Sequence, residues 1–248
     1  MSFTHKSVIV TGASSGIGAT TAILFAKQGA SVVMVGRNET KLNAVAAKLP
    51  KNAKSLILKA DVTTDAKKII DETVNKFGKI DVLVNNAGFA KYGSLTDGKF
   101  LEAYDAVMRT NVRAVAELTM LALPYLTKTK GNIINISSVA AIVLPFDTRN
   151  LSYNVSKAAL DHFTRGAALE FAPKGIRVNS VNPGPVSTDF LENMGADISF
   201  DDLKTLTPLK RISAPEEIAE LIMYLASDKA LGITGSIMVV DNGRLLKP

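Results

Sequence analysis

The chain contains no cysteine and only two histidines, His5 and His162. Disulfides and thiol chemistry are therefore excluded, and nothing marks an oxidising compartment. The residue types that hold zinc or haem iron are too few for a metal site. Long apolar runs are missing too: none approaches the roughly 18 residues that span a bilayer. The segment before the first strand-like run, Met1 to Lys6, is too short for a signal peptide. The expectation is a soluble cytoplasmic chain with no membrane partner. Linkers, repeats and low-complexity stretches are also absent, which points to one domain over all 248 residues.

Acidic residues are scarce in the first hundred positions, where 14 Lys/Arg face 7 Asp/Glu; the remaining 148 hold 15 and 16. The whole excess of +6 thus lies in the first part of the chain. Such a bias attracts a polyanionic small molecule, or simply reflects a solvated lysine-rich surface. The lysines are dispersed and no aromatic platform interleaves with them, so nucleic acid is not an expected partner.

Apolar residues make up 47% of the chain, enough for a sizeable core. Short Val/Ile-rich runs at 7–11, 31–35, 56–58, 81–84, 132–136, 177–181 and 237–240 read as strands. They are continuous rather than alternating, as strands buried on both faces are. Helix-length segments at 17–28, 39–48, 65–77, 100–127, 152–172 and 215–226 separate them. Gly29 and Gly78 stand where helix C-caps belong, and Pro215 with Glu216 and Glu217 marks a helix start. The pattern predicts an α/β fold: a doubly wound, Rossmann-type parallel sheet of about seven strands. Ligands of such sheets bind beyond the C-terminal strand ends, so the chemistry is expected just after the strands.

After the first strand comes Thr11-Gly12-Ala13-Ser14-Ser15-Gly16-Ile17-Gly18, a GxxxGxG turn leading into a helix. Glycine lets the main chain turn sharply and approach a pyrophosphate, and the helix N-terminus offers free N–H groups. Gly12, Ser14, Ser15, Gly16, Ile17 and Gly18 are thus candidate dinucleotide contacts. Dinucleotide sites for NAD usually carry an acidic residue at the end of the second strand. Here Gly36-Arg37-Asn38 stands there instead. Glycine leaves room, Arg37 can pair bidentately with a 2′-phosphate, and Asn38 lies beside it. Glu39 opposes that pairing unless it faces away. NADP(H) is favoured, with NAD(H) the alternative. Asp61-Val62 reaches an adenine ring or caps the next helix. Asn86, Ala87 and Gly88 form a turn suited to tight hydrogen bonds near a cofactor.

Tyr153 and Lys157 are four residues apart at the start of a helical pattern, hence on one face. Most such pairs are surface packing pairs. Lowering a phenol from its ordinary value near 10 to about 7.5 takes roughly 3.5 kcal/mol, and one cation about 4 Å away supplies about 4 kcal/mol before desolvation losses. The lysine is therefore expected to activate the tyrosine. Ser137 and Ser138 end the fifth strand, and either hydroxyl can polarise a carbonyl. Asn111 interrupts a long helix, either as a kink or as a buried anchor for a water. His162 lies off the 153/157/161 face and has no assigned role.

Taken together, these motifs resemble the short-chain dehydrogenase/reductase family, in its small single-domain, 3-oxoacyl reductase-like branch. The resemblance runs over nearly the whole chain. It rests on the glycine turn, Asn85-Asn86-Ala87-Gly88, Thr110-Asn111-Val112, Ser137-Ser138, Tyr153-Asn154-Val155-Ser156-Lys157, and Asn182 to Thr188. It implies a catalytic set of Asn111, Ser138, Tyr153 and Lys157. In that set Tyr153 exchanges the proton, Ser138 steadies the substrate oxygen, Lys157 tunes Tyr153 and holds the nicotinamide ribose, and Asn111 anchors a water. It also assigns cofactor contacts to Pro183, Gly184, Val186 and Thr188, and it implies a homo-oligomer, dimer or tetramer. Ser138 and Tyr153 are about two residues further apart than is common in the family, with the extra length at 142–151. The implied reaction is hydride transfer between a nicotinamide cofactor and a ketone or secondary alcohol. Phe89, Tyr92, Leu144, Phe146, Phe190, Leu191, Met194 and Phe200 suit an apolar carbonyl: a steroid, terpenoid, fatty or xenobiotic ketone. A 3-oxoacyl thioester substrate and a non-catalytic NADP(H)-binding regulator are the alternatives.

Overall fold

The computed structural model describes residues 1–195 and 199–246. Its elements follow the chain as β1 (Ser7–Thr11), α1 (Gly16–Lys27), β2 (Ser31–Gly36), α2 (Glu39–Ala46), β3 (Ser55–Lys59), α3 (Ala66–Phe77) and β4 (Val82–Asn85). Next come α4 (Phe100–Met108), a π turn (Arg109–Arg113), α5 (Ala114–Thr129), β5 (Asn132–Ile136) and α6 (Leu151–Phe171). The chain ends with β6 (Arg177–Pro183), α7 (Phe190–Met194), α8 (Phe200–Thr205), α9 (Pro215–Ala226) and β7 (Ile237–Val240).

The strands pair in the order β3-β2-β1-β4-β5-β6-β7, and every pairing is parallel. Successive side chains of a strand point to opposite faces, and each face here has its own core. Val8 and Val10 of β1, with Val32 and Met34 of β2, pack beneath α1 and α9 against Phe25, Ile218 and Ile222. Ile9, Val33 and Val35 face the other way, towards Ile69 of α3, Leu118 of α5 and Ala167 of α6. Both layers need apolar contacts, so the central strands β1, β2 and β4 read as Val/Ile-rich runs.

Strand order reverses between β1 and β4, so the crevice opens beyond their C-terminal ends. Gly78 closes α3 in the left-handed conformation at φ 75°, as a C-terminal glycine should. Two expectations need correction. Asp81 lies just before β4 rather than in it; its carboxylate accepts the Ser7 N–H at 2.8 Å and pairs with Lys6 and Lys79. The helix expected over 100–127 is interrupted by the π turn. No helix was read over 190–206, which contains α7 and α8; its residues 196–198 lie outside the described ones. No helix among the described residues is long and apolar enough to cross a membrane.

Candidate active site

At the end of β1, Thr11 joins two loops. Its hydroxyl accepts the Asn86 and Ala87 N–H groups at 3.0 Å each, and the Asn86 amide donates back to the Thr11 carbonyl at 2.9 Å. The glycine turn is therefore stitched to the turn after β4. Gly12 and Gly16 have φ of +66° and +53°. A Cβ on Gly18 would lie 2.3 Å from the Gly12 carbonyl oxygen and 2.4 Å from Asn86 Nδ2. Ser15, the residue before α1, makes no side-chain cap, so it leaves the first-turn N–H groups to another acceptor. Ser14 lies against Gly36, where a Cβ would stand 3.5 Å from its hydroxyl oxygen. A phosphate-bearing dinucleotide fits this bare main-chain cradle.

Arg37 is largely exposed beyond β2, with its guanidinium 3.9 Å from Asp61. Burial pushes the Asp61 carboxyl up, but hydrogen bonds from Thr63 and the nearby Arg37 and Arg109 outweigh it and hold the group below the usual carboxylate value. Glu39 pairs with Lys59 at 3.5 Å, which removes the expected conflict with Arg37. The Asn38 side chain is used locally, accepting the Lys41 N–H at 2.9 Å to cap α2. Val62 is buried in the core beneath.

On α6, Tyr153 and Lys157 are both buried at the crevice floor. The Ser138 hydroxyl, which accepts the Ala140 N–H at 3.1 Å, lies beside the phenol, and the Tyr153 ring stacks at a tilt on Phe190 at 5.5 Å between centroids. Between the two serines left open above, the structure brings only Ser138 to the phenol. Ser137 is turned away and donates to the Lys157 carbonyl at 3.2 Å. Burial pushes the Tyr153 phenol up to about 12, with the Ser138 bond opposing it. Burial likewise pulls Lys157 down to about 8, against the nearby Asp161 carboxylate.

Lys157 Nζ is spent on the Ile136 carbonyl at 2.8 Å and stands 5.4 Å from the ring centroid. In the cofactor-free chain, burial is therefore the largest influence on the phenol and acts against any pull from the lysine.

Asn111 sits at the centre of the π turn and is buried. Its side-chain oxygen accepts the Phe89 N–H at 3.1 Å, and its nitrogen donates to the Phe89 carbonyl and the Ser156 hydroxyl at 3.0 Å each. The extra residue of the π turn lets one amide clamp the loop after β4 onto α6. π turns concentrate at such sites. Gly88 follows from the same crowding: a Cβ there would lie 3.1 Å from Asn111 Oδ1 and 3.5 Å from Lys157 Nζ.

Beyond β6, Pro183 and Gly184 lie on the crevice side, and a Cβ on Gly184 would meet Asp241 Cα at 2.8 Å. Val186 bridges to Ser213, and the Thr188 methyl would touch a Cβ on Gly16 at 3.0 Å. Leu144 and Phe146 in the 142–151 segment are 88% and 82% exposed. Arg149 covers the Tyr92 ring at 4.6 Å and pairs with Asp147. His162 is exposed. Among the described residues no cluster of His, Asp or Glu is arranged to hold a metal ion.

Sequence reading missed several residues that frame this site. Asn154 donates to the Ala140 and Val143 carbonyls at 2.9 and 2.8 Å and holds down the base of the 142–151 segment. Ser156, Asp161, Ser180 and Asn182 are also buried. The available signal was polar side chains recurring on the core face of α6 and in an otherwise apolar β6.

A dinucleotide cradle joined to a buried acid–base cluster at the switch in strand order defines a nicotinamide-dependent oxidoreductase of the doubly wound class. The comparisons with known proteins agree. The family described as enoyl-(acyl carrier protein) reductase matches residues 12–244. A 3-oxoacyl-(acyl-carrier-protein) reductase of Thermotoga maritima is 35% identical over 97% of this chain and 98% of its own length. A glucose 1-dehydrogenase of Gluconobacter oxydans is 39% identical over 98% and 93%. The crystal structure of a Caenorhabditis elegans short-chain dehydrogenase/reductase of unknown function, solved with cofactor, superposes with a TM-score of 0.92. It shares 37% identity and covers 99% of this chain and 97% of that one. The chain belongs to the short-chain dehydrogenase/reductase family of oxidoreductases.

Proposed function

We propose that this protein reduces an apolar ketone, or oxidises the corresponding secondary alcohol, with NADP(H) as the favoured cofactor. The observation that carries the reading is the meeting of the Tyr153 phenol, the Ser138 hydroxyl and the Lys157 ammonium beside the glycine turn. The cofactor, when bound, supplies or accepts the hydride. Gly12 to Gly18 would hold its pyrophosphate, Asp61 and Val62 its adenine, and Asn86 to Gly88 the central part. Pro183, Gly184, Val186 and Thr188 would line the nicotinamide end.

The Tyr153 phenol is the O–H donor placed to give a proton to the oxygen of a carbonyl, and a bound cofactor and Lys157 would offset the burial that pushes it up. Ser138 would donate a hydrogen bond to that oxygen as charge develops. Lys157 would hold the ribose beside Tyr153, and Asn111 would fix the floor through Phe89 and Ser156. NADP(H) is supported by Arg37 standing exposed with Glu39 drawn off by Lys59. The exposed Leu144 and Phe146 support an apolar substrate, and a 3-oxoacyl thioester remains the second reading on the strength of the Thermotoga relative.

The test is a ketone panel with NADPH, comparing the wild type with Tyr153→Phe. The expected loss in kcat is about 10²- to 10⁴-fold, the usual worth of a placed general acid, with NADPH binding retained. Equal turnover would refute the assignment. A cytoplasmic homo-oligomer, dimer or tetramer, is part of the same reading. Leu101, Met120 and Leu169 are 69%, 63% and 81% exposed on the helices expected to pair. A monomeric mass at micromolar concentration would contradict it.

A further inference from the structure

One turn beyond Lys157, on the same face of α6, lies a third ionisable group that the reaction outlined above does not use. Asp161 is buried, and it makes no ion pair among the described residues. A carboxylate taken out of water without a contacting cation is costly and needs compensation. Neutral groups of β6 provide it. Asn182 Nδ2 donates to Asp161 Oδ2 at 2.7 Å; the Ser180 hydroxyl lies 3.2 Å from Oδ1 but donates at 2.7 Å to Asn182 Oδ1, so it orients the amide that holds the carboxylate. Asn182 Nδ2 also donates to the Ser138 backbone carbonyl at 3.1 Å, which ties the carboxylate to the strand end that carries Ser138.

We propose that Asp161 is a positioning residue: a buried negative charge, fixed by Ser180 and Asn182, that keeps the neighbouring Lys157 ammonium charged inside the crevice floor. The proposal rests on the catalytic reading given above. Residues i and i+4 on a helix are neighbours, so the field of this carboxylate falls directly on the lysine. Among the described residues, the hydrogen bond that offsets the burial of Lys157 goes to a neutral group, the Ile136 carbonyl.

Other charges do not substitute. The groups that face this stretch from β5, β6 and the π turn are neutral: Ser138, Ser180, Asn182 and Asn111. Asp105, Arg109 and Arg113 on α4 and the π turn are exposed, as are Glu102 and Lys174. Arg149 is held by Asp147, and Arg177 is bound to the Ile233 and Ser227 carbonyls, near the other end of β6. Tyr153 is the remaining titratable neighbour, and it is neutral where the lysine titrates. The opposing pull of Asp161 on a lysine otherwise lowered by burial is consistent with this arrangement.

The experiment is a carbon-13 NMR titration of the cofactor-free full chain carrying lysine labelled at Cε, with the Lys157 signal assigned by its loss in Lys157→Arg. The wild-type midpoint is expected near 8. In Asp161→Asn, which preserves shape, it should fall by roughly one to two pH units, the field of one charge about 6 Å away at an intermediate dielectric. Asp161→Ser is expected to do the same and serves if the Asn variant does not fold. The pH at which ketone reduction with NADPH gains its lysine-dependent loss should move down by the same amount. An unchanged midpoint in a folded variant would overturn the proposal. Wild-type turnover in Tyr153→Phe would instead overturn the catalytic reading beneath it, and the lysine titration distinguishes the two failures.

Discussion

At the junction of β1 and α1 the crevice presents main chain; at the junction of β5 and α6 it presents side-chain tips. Gly12, Gly16 and Gly18 contribute by having no side chain, and the stitching comes from Thr11 and Asn86. Ser138, Tyr153 and Lys157 contribute hydroxyl, phenol and ammonium, and each is partly or wholly buried under neutral neighbours. The first region should therefore fail when atoms are added, the second when charge or polarity is removed. They also differ in what they cost the fold. A bare turn is compatible with tight packing, whereas a buried lysine lowered to about 8 stores unfavourable dehydration.

Gly18→Ala is the largest expected effect on the main-chain side. The new methyl would meet Gly12 and Asn86 at 2.3 and 2.4 Å, contacts that only a backbone shift can relieve. Overpacking of this kind costs about 1–3 kcal/mol or more, and it would spread the two stitched loops. Chemical denaturation should show the loss, and fluorescence titration should show weakened dinucleotide binding. Wild-type values for both would break the contrast.

Lys157→Met should act in the opposite sense on stability while abolishing turnover. The folded pKa of Lys157 is depressed from its ordinary 10.5 to about 8. Between those values the unfolded chain holds the proton and the folded one does not, so wild-type stability rises as pH climbs through that window. Below it the buried charge is a penalty of up to about 3 kcal/mol. The methionine variant should accordingly unfold at higher denaturant than wild type at pH 7, with the advantage gone above pH 10.5. A variant less stable at pH 7 would show that the Ile136 contact outweighs the dehydration.

Arg37→Ala is expected to be the smallest of the three. Arg37 is exposed and holds no buried charge, so folding should be unaffected. The KM for NADPH should rise about 10- to 100-fold through loss of charge-assisted hydrogen bonds, with the KM for NADH unmoved. Indifference of both would remove the phosphate role.

The same contrast explains what could be read without coordinates. The main-chain region is local: strand, glycine turn and helix are consecutive, and their spacing alone marks the cradle. The central strands β1, β2 and β4 were legible because each feeds two cores and so reads as an apolar run. The side-chain region is assembled from β5, α6, β6 and the π turn, and its supporting residues carry no local signal. Asn154, Ser156 and Asp161 look like solvent-facing helix residues until β6 and the 142–151 segment are laid over them. Spacing alone left Ser137 and Ser138 equivalent; the family resemblance selected Ser138, and the Ser137 hydroxyl donates to the Lys157 carbonyl instead. Spacing likewise gives Tyr153 a lysine neighbour, but not the Ile136 carbonyl to which that lysine donates.

The π turn makes a last point about the rod formed by α4 and α5. One residue beyond the α-helical count rotates everything after it by about 100° relative to a regular helix. The rod therefore acts as two rulers joined with a one-notch slip, α4 graduated against α6 and α5 graduated against α3. Asn111 occupies the notch. Removing a single residue there would leave an unbroken helix with better local geometry and the wrong phase, so the most regular version of this segment is one that cannot hold the crevice together.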